Sequence, residues 1–176
     1  ANLIDARAVQ GDLGLPDARV IASGDPCRSV LLYRMATAGS GHMPYLGSHL
    51  VDDRGLLLIR DWIASLKPNN RDLAAATLSL RKAEDQAIAQ LRAGDSKPLD
   101  LLLATNSGAL SVLLAIVDGK LSTDLRALAI AKGSALTEPL RRDLFERFLP
   151  ESQRRKVLGP GIKPEAGFLE VPERAG

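Results

Sequence analysis

One cysteine, two histidines, two methionines and an aromatic content of only 3% leave this chain short of most side chains that carry chemistry. Cys27 stands alone, so an internal disulfide is excluded, and so is a CxxC or CxxCH motif. His42 and His49 have neither a thiolate pair nor an H-x-x-x-H spacing beside them, which removes the usual zinc patterns. Ser23, Ser29, Ser40 and Ser48 lack a G-x-S-x-G setting and an evident base, which argues against a serine hydrolase. The glycine pieces "GDLGLPD" and "AGSGHMP" have no G-K-[ST] and no strand–GxGxxG–helix context, so neither is a phosphate loop. The longest apolar runs, Leu99–Ala104 and Ala109–Val117, fall well short of a membrane span. Charge of one sign is also missing. With 23 basic and 21 acidic residues the net charge is +2, and the two signs interleave as on solvated helix faces rather than gathering into a nucleic-acid stripe. No secretory signal is visible at Ala1, and the opening "ANLIDAR" reads as a point inside a longer chain.

What is plentiful is leucine and alanine, and that favours helix over sheet. Residues 1–25, broken by Gly11, Gly14, Pro16 and Gly24, suit loops and short extended pieces. Asp25 and Pro26 then supply an N-cap and a first-turn proline for a helix through Val30, Leu31 and Met35, closed by Gly39 and Gly41. "VDDRGLLLIRDWIASLKP" is a second helix, capped by Asp52 or Asp53 and stopped by Pro68. Its Leu56, Ile59, Trp62, Ile63 and Leu66 recur at helical spacing. Capping also accounts for the Asp52–Asp53 pair without acid–base chemistry. Beyond the Lys67–Asp72 linker the chain reads as short helices in series, with Ser96, Asn106 or Ser107, Ser122 and Thr137 as caps and Gly94 and Gly119 as stops.

That gives a mainly α fold in three parts: residues 1–67, an α-helical bundle or HEAT-like stack over 71–155, and an irregular linker over 156–176. Few apolar contacts are expected across Lys67–Arg71. Leu101, Leu113, Ile116, Leu128, Leu144 and Phe148 are expected to face inward.

Met43 is the residue with no place in a periodic segment. It sits between His42 and Pro44 in a Gly/Pro/His-rich loop just ahead of the second helix. Either it plugs a local gap, as methionines commonly do, or its soft thioether is wanted for coordination. Pro44 stiffens the loop, Gly39 and Gly41 permit close approach of the backbone, and the Leu56–Leu66 helix with Trp62 offers an apolar wall. Spacing alone favours the gap-filling reading. Cys27, in a first helical turn, could have a lowered thiol pKa, but without a resolving cysteine or base it reads as an incidental small residue.

Three stretches carry a resemblance: "GDPCRSVLLYRM", "GHMPYLGS" and "VDDRGLLLIRDWI". Over residues 2–66 the chain resembles the C-terminal half of a c-type cytochrome domain from large secreted PVC-type haem-binding (CxxCH) multidomain proteins. More loosely, over 100–158, it resembles a helical linker from the same proteins, with "LRRDLFERFLPESQRRKVLG" preceding a further haem domain. The resemblance implies a partial cytochrome c-like domain followed by the helical linker domain. Met43 would be the distal axial ligand of a haem c iron, with Pro44, Leu56, Ile59 and Trp62 lining the cofactor. It further implies electron transfer with a redox partner protein or a fused dehydrogenase domain, in a periplasmic or cell-surface setting. The CxxCH that tethers the haem and supplies its proximal histidine is not in these 176 residues, and by the resemblance it would precede Ala1. The competing expectation is a non-catalytic α-helical interaction module, with Met43 merely structural.

Overall fold

The segment "SGALSVLLAI" offers almost no polar face, and such a helix has to be covered from every side. The rest of the fold does this. The computed structural model describes residues 3–38, 42–43, 51–69 and 73–154, and among them the architecture is mainly α with no sheet. The helices are α1 (Val30–Ala36), α2 (Asp53–Ser65), α3 (Ala75–Arg92), α4 (Leu99–Leu103), α5 (Asn106–Val117), α6 (Thr123–Ser134) and α7 (Pro139–Arg142). Before α1 the chain is held by isolated bridges, Ile4 to Ile21, Arg7 to Arg19 and Arg19 to Ser29. Every residue of α5 from Ser107 to Ile116 is buried, and the helix packs against α2, α3, α4, α6, α7 and the Pro26–Arg28 turn.

This central position overturns the expectation of few apolar contacts across Lys67–Arg71. Leu15, Ile21, Val30, Leu32, Tyr33, Leu56 and Ile63 belong to the same core cluster as Leu91, Leu102, Leu113 and Phe145. A helix that is apolar all round cannot be enclosed by residues 73–154 alone, so the N-terminal part completes its cover.

Local chemistry explains most helix ends. Asp52 caps α2 by accepting hydrogen bonds from the Arg54 and Gly55 N–H groups at 3.0 and 3.1 Å. Ser122 caps α6, and Gly94 and Gly119 lie at positive φ just past α3 and α5. Other ends differ from expectation, at α5 because the expected caps are engaged elsewhere. Thr105, not Asn106 or Ser107, caps α5: Asn106 donates to the Leu13 carbonyl at 2.6 Å, and Ser107 donates to Glu84 at 2.7 Å. Glu138, not Thr137, caps α7, since Pro139 occupies the first helical position and Glu138 therefore precedes it. Pro98, not Ser96, stands at the start of α4. α3 carries no cap of its own. Asp17 supplies one from 57 residues away by accepting the Ala74 N–H at 3.0 Å.

The helix expected from Pro26 is also broken. Pro26–Arg28 forms a single 3-10 turn, and α1 starts only at Val30. Ser29 is drawn into an extended conformation because the Val30 N–H donates to the Arg19 carbonyl at 2.9 Å and Arg19 donates to Arg28 at 3.1 Å. Of the expected inward residues, Leu113, Ile116 and Leu144 are buried and Phe148 is partly buried, but Leu101 is 53% exposed and Leu128 37%. In α4 the buried positions are Leu99, Leu102 and Leu103, so Leu101 falls on the opposite face, and in α6 they are Leu125, Ala129 and Gly133, which leaves Leu128 at the edge of the buried stripe.

Candidate functional site

The loop that carries Met43 is tied back onto α1. The Met43 N–H donates to the Arg34 carbonyl at 3.0 Å, and His42 Nδ1 lies 2.7 Å from the Thr37 carbonyl. A carbonyl only accepts, so Nδ1 of His42 carries the proton. Met43 remains 41% exposed, so it does not fill a gap in the core. Its Sδ has the Arg34 Nη1 at 3.8 Å, a weak contact, while Arg34 Nε is buried with no hydrogen-bond partner among the described residues. Pro44 lies outside the described residues.

α2 turns one stripe inward and leaves another bare. Leu56 and Ile63 are fully buried, and Ile59 is partly buried against the core. Leu56 is thus committed to the protein's own interior rather than to a surface where a cofactor could lie. Trp62 is 41% exposed and Leu58 69%, and these two apolar side chains, four residues apart, share the outward face. Asp52 and Asp53 at the start of α2 do separate tasks. Asp52 caps the helix, and Asp53 Oδ1 pairs with the Arg147 guanidinium.

A second concentration of polar groups lies where the N-terminal part meets α3 and α5, and sequence reasoning missed it. Arg81 donates to Asp25 at 3.1 Å, to Glu84 at 2.5 Å and to Asp85 at 3.3 Å. Asp25 also pairs with the buried Arg28 at 3.0 Å. Glu84 is 1% exposed and is satisfied there by Arg81, the Thr105 hydroxyl and the Ser107 hydroxyl. The pattern "RKAED" is visible as a charge run on one helix, but its essential partner, Asp25, lies 56 residues earlier. Beside this network is a cleft of about 640 Å3 between Ser23–Pro26, Pro68 and one face of α3. Burial pushes the Asp85 carboxyl above its ordinary range, Arg81 opposes that, and the charges of Asp25 and Glu84 add to it. Of the charged groups lining the cleft, Asp25, Arg81 and Asp85 are paired with one another, as at a structural junction.

Cys27 joins the same junction. Its Sγ lies 3.1 Å from the Ser111 hydroxyl, and burial pushes the thiol up to about 11, with Arg81 opposing. The lowered pKa that a first-turn cysteine could have is therefore reversed, because desolvation outweighs the nearby cation. Among the described residues no three His, Cys, Asp or Glu side chains gather as a metal site. Among the same residues no helix is long and apolar enough to cross a membrane. Compared with protein-family models, with curated proteins and with solved structures, the chain matches none of them.

Proposed function

We propose that this chain carries the methionine-ligand part of a c-type haem electron-transfer unit, joined to a helical platform, within a larger periplasmic or secreted protein. The observation that carries the reading is the setting of Met43. One of only two methionines is held outside the core, 41% exposed, by a backbone hydrogen bond to α1. A thioether so placed can accept a soft metal, and the weak Arg34 contact leaves sulfur lone-pair density available. The uncovered apolar face of α2 at Trp62 and Leu58 adds support, since a macrocycle needs an apolar, water-excluding wall. The resemblance in "GDPCRSVLLYRM", "GHMPYLGS" and "VDDRGLLLIRDWI" supplies the identity of the group.

The residues present fit that group in part. Met43 would hold the iron through its sulfur, and Trp62 with the exposed edge of Ile59 would line the cofactor. Leu56 would act one layer back, holding α2 in place from the core. When bound, haem c exchanges a single electron, at a potential that a thioether ligand raises. This chain's own contribution is to present the sulfur at a fixed position, to exclude water with apolar side chains, and to hold α2 through Asp52 and Asp53. The proximal histidine and the covalent tether would have to come from outside these residues. The electron partner would be another redox protein or a dehydrogenase domain of the same protein.

The experiment is Met43→Ala in the full-length parent protein. The expected result is loss of the Met–iron absorbance band and a fall in reduction potential. If the parent holds no haem, or if both properties are unchanged, Met43 is not a ligand. The interaction-module reading then takes its place, favoured by the exposed Leu78, Leu101 and Leu128 on the helical part.

A further inference from the structure

Ala38 and Asp53 lie on either side of Met43 in the chain, and both are gripped by one short segment of the helical part. The Ala38 N–H donates to the Asp143 carbonyl at 3.3 Å, and Asp53 pairs with Arg147. Asp143 and Arg147 are four residues apart, and between them Leu144 and Phe145 are fully buried. Phe145 lies so close to Gly133 of α6 that no Cβ would fit there, which seats the segment on the platform. Further bonds stiffen it. Arg142 pairs with Asp143 at 3.0 Å and with Glu146 at 2.9 Å, and the Tyr33 hydroxyl of α1 donates to the Leu140 carbonyl at 2.8 Å. Arg147 lies over the Phe148 ring, 4.9 Å from its centroid.

We infer that the Asp143–Arg147 segment is a clamp that fixes the distance between the end of α1 and the start of α2, and with it the position of Met43. Arg147 is the positioning residue. The helical part is then more than a spacer, because the loop's two ends are anchored to it and not only to each other. The importance of the clamp for electron transfer rests on the reading of Met43 as a ligand. The clamp itself rests on the two grips and the buried anchor between them.

The test uses the 176-residue chain labelled with 13C-methyl methionine, in which Met35 and Met43 give two resonances. Met35, on α1 and partly buried against the core, is the internal reference. The variants are Asp53→Asn, which changes an exposed carboxylate and should fold, Arg147→Leu, which keeps an apolar stem and adds no methionine, and the conservative Arg147→Lys. In the first two the Met43 resonance should shift, and exchange of the Met43 amide, which is bonded to the Arg34 carbonyl, should accelerate roughly two- to fivefold, the scale of losing one partly exposed ion pair from a local opening equilibrium. Met35 should be unchanged, and Arg147→Lys should stay close to the parent chain. An unmoved Met43 in both variants overturns the clamp. So does a parallel change in Met35 and Met43, which would mean general loosening. A full-length parent without haem overturns the ligand reading and leaves this result standing.

Discussion

Glu84 offers the sharpest test of how the two halves of the chain are joined. Its carboxylate is 0% exposed, and it holds Arg81 at 2.5 Å and accepts from the Thr105 and Ser107 hydroxyls. Glu84→Ala removes the anion, leaves two hydroxyl donors without their acceptor, and strips Arg81 of one of its three carboxylates. Two effects compete. Arg81 keeps Asp25 at 3.1 Å and Asp85 at 3.3 Å, which softens the loss. Breaking a buried pair by removing one partner nonetheless costs about 3–5 kcal/mol, and at this chain length each kcal/mol lowers Tm by about 2–4 °C, so a fall of roughly 6–20 °C is expected. Glu84→Gln keeps the volume and one acceptor oxygen, so its cost should be smaller, about 1–3 kcal/mol. Thermal and urea unfolding followed by circular dichroism measure both. Because the network ties Asp25 before the linker to α3 and α5 after it, a single cooperative transition should move as a whole. A Glu84→Ala cost below about 1 kcal/mol, or two separate transitions, would refute the argument that this junction holds one shared core together.

Gly133→Ala should destabilise the chain by about 1–3 kcal/mol, because the added methyl meets the fully buried Phe145 ring and neither side can give way cheaply. The same substitution should lower the urea midpoint without changing the slope. Stability should also fall in acid. Hydrogen bonds from Thr77 and the Ala74 N–H hold the Asp17 carboxyl below its ordinary value of 3.8. A depressed folded pKa contributes stability above the unfolded value and loses it as pH falls through the folded one, so the loss begins near pH 4 and continues below it. Asp17→Asn should flatten that acid limb and also fray the start of α3, read as faster amide exchange at Ala74–Thr77.

The sequence by itself determined what depends on neighbours a few residues apart. The apolar spacing of α2, its Asp52 cap, the Ser122 cap, and the glycines after α3 and α5 all act within one turn of helix, where backbone hydrogen bonds reach only three or four positions. The mainly α character follows from the same local terms. The tertiary structure decided whatever depended on a distant partner. It set the break at Ser29, forced by Arg19, and the capping of α3 by Asp17. It engaged Asn106 and Ser107 in bonds away from the α5 cap and turned Leu101 and Leu128 outward. It also joined residues on both sides of Lys67–Arg71 into one core, because an all-apolar α5 needs cover that no single neighbouring segment can give. For the candidate site, Met43 stood out in the sequence only as a methionine without a periodic place. Its exposure and the commitment of Leu56 to the core are set by tertiary packing, and the grip of Asp143 and Arg147 on either side of it joins residues about 100 apart in the chain, a distance that a local pattern does not encode.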